Sequence, residues 1–182
     1  MTEEASADDG TLDMPVGRDE NAPLKLEQFL PYRLNVVASL VSQALSRIYA
    51  DRHGIGVPEW RVLVTLGQYG MMTGKSIGAH SHMHKTKVSR AVAVLERRKL
   101  LARRTNREDL RESVLSLTPS GLAIYQDLAP IALDFAHRLT EAIEPADRVA
   151  FDRVVDRLTE RSTTLAAEIT NGSRKDRKIK SP

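Results

Sequence analysis

The 182-residue chain suits one domain or two small ones, and its 41% hydrophobic and 28% charged residues fit a soluble globular protein with a sizeable core. Cysteine is absent, which excludes disulfides, thiol catalysis and Cys-based zinc sites and fits a reducing cytoplasm, the expected location. No apolar run approaches the roughly 18 residues of a membrane span, so no membrane partner is expected, and the acidic, polar start from Met1 to Gly10 is not a secretory signal.

The net charge of +3 hides a segregation: residues 1–23 carry −6, residues 75–111 carry +8 and residues 112–170 carry −5. Charge confined to one block points to a polyanion, above all nucleic acid, although a solvated basic face has the same composition. Residues 1–23 hold few apolar side chains and read as a disordered acidic tail.

From Leu26 the apolar positions step at helical spacing through Phe29, Leu30, Leu34, Val37, Val41, Leu45 and Ile48. Pro31 suits the first turn, so the continuous helix is expected to start near it and to end near Asp51. Pro58 and Glu59 open a second helix from Trp60 to Tyr69, stopped by Gly70. A short helix from Gly74 to His80, a turn, and a longer helix from Lys85 to Lys99 have helix-turn-helix spacing.

In the longer helix Val88, Ala91, Val92 and Leu95 face inward, while Lys85, Thr86, Lys87, Ser89 and Arg90 face out at its N-terminal end. That is the end with which a recognition helix meets base edges: Lys and Arg bond guanine, and Ser or Thr bonds bases or phosphates. Lys75 and Ser76, at the start of the preceding helix, are further DNA-binding candidates. Met83 and Val88 stand where a hydrophobic staple fixes the approach to the recognition helix.

Two strands follow, Leu101 to Thr105 and Ser113 to Thr118, joined by a polar turn of residues 106–111. Arg103, Arg107 and Arg111 on this hairpin are candidate DNA contacts; an Arg at the tip is slim enough for the minor groove, and Asp109 can hold Arg111 extended. Arg97, Arg98 and Arg104 are expected, with Arg103, to face phosphates.

Thr118 caps a further helix with Pro119 in its first turn and a kink expected at Pro130. Pro145 separates a last helix with Phe151, Val154, Val155, Leu158, Leu165 and Ile169 on one face. Asn171 and Gly172 are expected to stop it, leaving 171–182 as a basic disordered tail. The fold class is therefore mainly α with a small β-hairpin wing: a winged helix-turn-helix (57–118) flanked by long helices (24–52 and 119–170) whose apolar stripes suit a second subunit.

The Glu59-Trp60-Arg61-Val62-Leu63 segment, Val88-Ser89-Arg90-Ala91-Val92 with Leu95-Glu96, the Asp109-x-Arg111 wing, and Leu117-Thr118 followed by Gly121 make the chain resemble the MarR family of regulators over residues 26–168. The resemblance implies an obligate homodimer, a repressor bound to a palindromic double-stranded DNA operator, and release by a small effector. It places the effector cavity between the long helices and the winged domain, with Tyr32, Arg33, Val36, His53, Ile55, Trp60, Arg61 and Tyr125 as candidate ligand-binding residues. Aromatic faces suit a flat ring and Arg33 or Arg61 a carboxylate, so an aromatic acid or its coenzyme A thioester is the expected effector, as in the branch controlling aromatic acid catabolism. Two positions depart from the family pattern: His84 stands where an Asp or Ser usually caps the recognition helix, and Lys99 where a Gly usually ends it.

No GxSxG, HExxH or Gly-rich phosphate loop is present, so no enzyme activity or cofactor is expected. His80, His82 and His84 alternate, but no nearby Cys, Asp or Glu completes a ligand set, so no metal is expected. The rival readings are an architectural protein that coats DNA without a specific site, and a helical dimerisation module with an incidental basic patch.

Overall fold

The computed structural model describes residues 23–105 and 112–179. In chain order the elements are α1 (Leu30–His53), α2 (Val57–Tyr69), β1 (Met72–Thr73), α3 (Gly74–Ser81), α4 (Lys85–Arg97), β2 (Leu101–Thr105), β3 (Ser113–Leu117), α5 (Pro119–Thr140) and α6 (Pro145–Ile179). They divide between two compact units, Met1–Ser42 and Gln43–Pro182.

In the first unit the chain turns at Lys25–Phe29 and enters α1, with Pro31 in the opening turn where its missing N–H costs nothing. Leu30, Leu34, Val37 and Leu40 on this stretch are exposed in the single chain.

The second unit holds the core. Val62, Leu63 and Leu66 of α2, Ile77 of α3, Val88, Ala91, Val92 and Leu95 of α4, Leu101 and Leu115 of the sheet and Leu128 of α5 are all buried in one cluster. The sheet is antiparallel in the order β1-β3-β2, with Leu101 opposite Leu117 and Arg103 opposite Leu115. β1 was not anticipated; two residues are too short for an alternating pattern, and Met72 and Thr73 pair with Leu115 and Val114 only because the turn after α2 brings them there. Gly70 at φ 76° ends α2 in a backbone conformation that glycine adopts without steric cost.

The last helix overturns one boundary. α6 does not stop at Asn171-Gly172 but continues to Ile179, so 171–179 is helical rather than a disordered tail. One interior glycine costs only about 1 kcal/mol against alanine, and the Lys and Arg residues that follow are good helix formers whose cations suit a helix C-terminus. The 35 residues of α6 span about 52 Å at 1.5 Å per residue. The acidic tail expected over residues 1–23 lies, apart from Pro23, outside the described residues.

Candidate nucleic-acid interface

The recognition helix is built as its sequence pattern requires. Val88, Ala91, Val92 and Leu95 are buried against α2 and the sheet, which turns Lys85, Thr86, Lys87, Ser89 and Arg90 outward, all exposed. The staple forms its two ends, with Met83 and Val88 both in the core. Only a long hydrogen bond caps the helix: the His84 Nδ1 accepts from the Thr86 amide at 3.4 Å. The first turn has no acidic residue but carries Lys85 and Lys87. Two cations at a helix N-terminus oppose the macrodipole, so the isolated domain holds positive charge where its own backbone disfavours it. An anion set against this end relieves the charge repulsion.

α3 stands in front of α4. Thr73 caps it, its Oγ1 accepting from the Ser76 amide at 3.2 Å and lying 3.1 Å from the Ser76 hydroxyl. Ser76 is thus half-buried in the cap, while Lys75 beside it is exposed. His82 adopts a left-handed conformation (φ 50°), and the Met83 amide donates to the Gly78 carbonyl at 3.0 Å, closing the turn between α3 and α4. Between these helices and the sheet lies a groove of about 830 Å³, with Lys75, Lys85, Ser89 and Arg103 on its walls and Met83, Val88 and Leu115 among its apolar lining.

Arg103 faces the helix side of the sheet, opposite the buried Leu115. Its guanidinium donates twice to the Glu96 carboxylate of α4, at 2.8 and 3.1 Å, and this hydrogen bonding holds it above the ordinary arginine range. The residue expected to meet phosphate therefore also ties the wing to the recognition helix, with half of its side chain still exposed. Arg104 and Arg97 are exposed. Arg107, Asp109 and Arg111 lie outside the described residues.

Arg98 departs from the expectation of a phosphate-facing cation. Its guanidinium donates to the carbonyls of His53 at 2.7 Å and Gly54 at 3.0 Å, at the end of α1. No sequence pattern signals this, because the partners are backbone oxygens more than forty positions away.

The candidate effector residues are placed as follows. In the first unit Tyr32 and Arg33 are exposed on α1 and Val36 is half-buried. In the second, Ile55 is 1% and Trp60 8% exposed, and Trp60 stacks on Tyr49 with ring centroids 4.6 Å apart, so both belong to the core. Tyr125 packs over Gly67, where a Cβ would run into its ring. His53 Nε2 lies 2.7 Å from Asp127 Oδ2 of α5, and exposed Arg61 donates to the Ser81 carbonyl at 3.4 Å. Asp127, bonded by His53 and then by Arg52, was missed in the sequence; its carboxyl is held below the usual carboxylate range by those hydrogen bonds.

This arrangement, a recognition helix with a basic exposed end beside a three-stranded wing, defines a winged helix-turn-helix DNA-binding protein. The MarR family model matches residues 55–113, the stretch from the start of α2 into the wing. Over 129 residues the chain is 26% identical to YwoH, an uncharacterised HTH-type transcriptional regulator of Bacillus subtilis strain 168, covering 71% of this chain and 93% of that protein. Its fold is similar to that of a MarR/EmrR family transcriptional regulator from Acinetobacter sp. ADP1, with a TM-score of 0.72 at 23% identity over 78% of this chain and 99% of that one. It is also similar to BpsR of Bordetella bronchiseptica, whose DNA binding is regulated by 6-hydroxynicotinic acid, with a TM-score of 0.69 at 20% identity over 76% and 98% of the two chains. In sequence over residues 55–113 and in fold, the chain is thus similar to MarR-family transcriptional regulators.

Proposed function

We propose that the chain is a homodimeric, ligand-responsive regulator that represses transcription from a near-palindromic operator and is released by a small aromatic acid or its coenzyme A thioester. The observation that carries the DNA-binding part is the outward array of Lys85, Thr86, Lys87, Ser89 and Arg90 on one end of a helix whose opposite face is core. Dimerisation is supported by the apolar side chains exposed on the long helices, among them Leu133, Val149, Phe151 and Val154.

Support for the effector class is the regulation of BpsR by an aromatic acid. Tyr32 and Arg33 offer a ring face and a guanidinium of the kind such a ligand requires. An anionic ligand can compete directly with DNA phosphates at Lys75 and Arg103, or it can bind better to a dimer whose recognition helices are misspaced; linkage then weakens DNA binding by the same factor.

The test is competition of a labelled fragment from the chain's own promoter region by unlabelled specific and unrelated DNA. A site-specific regulator resists the unrelated competitor; equal displacement by both favours the architectural reading. Calorimetry with free aromatic acids and their thioesters, with and without operator, tests the effector. Absence of binding, or binding that leaves operator affinity unchanged, refutes the effector and leaves the DNA-binding function standing.

A further inference from the structure

The C-terminal end of α4 is fastened on two sides. Arg98, the residue that closes α4, grips the His53 carbonyl that ends α1, which a helix terminus leaves without an intrahelical partner, and the Gly54 carbonyl just beyond it. The chain then leaves the helix through Lys99 at φ 58°, with the Leu100 amide donating to Leu95 O and the Lys99 amide to Glu96 O, both at 2.9 Å. The two carbonyls so exposed are taken by the start of α5: the Thr118 hydroxyl donates to Lys99 O at 2.8 Å and the Thr118 amide to Leu100 O at 3.1 Å. Gly121 lets α5 come this close, since a Cβ there would overlap the Leu100 carbonyl oxygen. On its other side the end of α1 is held to the middle of α5 by Asp127, which accepts from Arg52 at 3.3 and 3.4 Å and lies 2.7 Å from His53 Nε2.

We propose that Arg98 is a positioning residue for DNA recognition: it sets the tilt of α4 against the end of α1, and operator affinity depends on it although it contacts no DNA. The proposal rests on the DNA-binding function given above. The lever is long: the 13 residues of α4 extend about 19 Å from Arg98's end to the base-reading end, so a tilt of about 10° moves the latter by about 3 Å. That displacement exceeds the tolerance of a hydrogen bond to a base edge. The planar fork of arginine suits two separate carbonyls, with one amino nitrogen to each; a lysine ammonium does not reproduce the fork.

The experiment measures promoter-fragment affinity by fluorescence anisotropy across a salt series for wild type, Arg98→Ala, Arg98→Lys and, as a direct-contact comparison, Lys87→Ala. Thermal unfolding establishes that each variant is folded at the assay temperature. The expected result is a loss of about tenfold or more for Arg98→Ala. Arg98→Lys, which keeps the charge, should restore little of it, and the log–log salt slope should stay at the wild-type value in both. If Arg98→Ala does not fold, Arg98→Lys carries the test alone, and wild-type affinity in that variant overturns the proposal. A slope reduced by about one per protomer, with rescue by lysine, makes Arg98 a phosphate contact and also overturns it. Wild-type affinity in folded Arg98→Ala overturns the positioning role and leaves the DNA-binding function intact, whereas a wild-type chain that binds no promoter DNA overturns both.

Discussion

Lys99 occupies a left-handed backbone conformation, φ 58°, in which a Cβ collides with its own carbonyl oxygen at a cost of roughly 1–2 kcal/mol. Lys99→Gly is therefore expected to stabilise the fold by about 1 kcal/mol in urea unfolding, despite removing a cation from the helix end. At Asp127 the expectation concerns pH. Its folded carboxyl sits below its unfolded value because His53 and Arg52 bond the ionised form. The stability it adds is present above about pH 4 and is lost as pH falls through the folded value. Asp127→Asn should flatten the acid limb of a melting-temperature profile below about pH 4 while changing its shape little near neutrality. The two sites differ in how far sequence reveals them. Lys99 is visible as a long side chain where a helix-ending glycine belongs. Asp127 and His53 lie 74 positions apart, and no local spacing rule connects them.

α4 shows an element whose stability and function pull in opposite directions. Its buried face was legible because Val88, Ala91, Val92 and Leu95 repeat at helical spacing, and the charged end was legible as the residue set left over. What could not be read was which cations are occupied. Arg103 is spent on Glu96 and Arg98 on backbone carbonyls, contacts set by how the elements pack. The same element predicts a double effect. Lys87→Glu places an anion in the first turn and should stabilise the domain by about 0.3–1 kcal/mol in chemical unfolding. It should also reduce promoter binding by well over tenfold, through loss of a favourable charge and gain of repulsion against phosphate. A variant that lost stability and kept its affinity would remove Lys87 from the interface.

For the molecule as a whole, the expectation is a symmetric dimer formed by about 26–45 and 130–169. Light scattering at micromolar concentration should give twice the 20.2 kDa chain mass, and a well-folded monomer would refute the dimer. Two recognition helices related by a two-fold axis should reach half-sites roughly 34–36 Å apart, and a dimer neutralising about 8 phosphates should give a log–log salt slope near −7. The expectation of a partner was legible in the apolar stripes of the terminal helices, where Leu133 is 71% and Val149 61% exposed. The extent of α6 was not, because a rule that stops helices at Asn-Gly weighs two residues and ignores the helix-forming cations beyond them.

The single tryptophan gives this molecule an optical reporter fixed by its fold. Trp60 lies flat against Tyr49 in the interior of the DNA-reading domain, on the face of α2 turned from solvent. Burial likewise pushes the Tyr49 phenol up to about 12, so near neutral pH the ring beside the indole stays protonated. Indole emission from this chain therefore originates in one buried, defined environment, with no second indole to blur it. A spectral change during titration with DNA signals rearrangement within the domain rather than contact with a base, and denaturation shifts the spectrum to the red as the indole meets water. Fluorescence thus follows the winged core without a label and without a substitution.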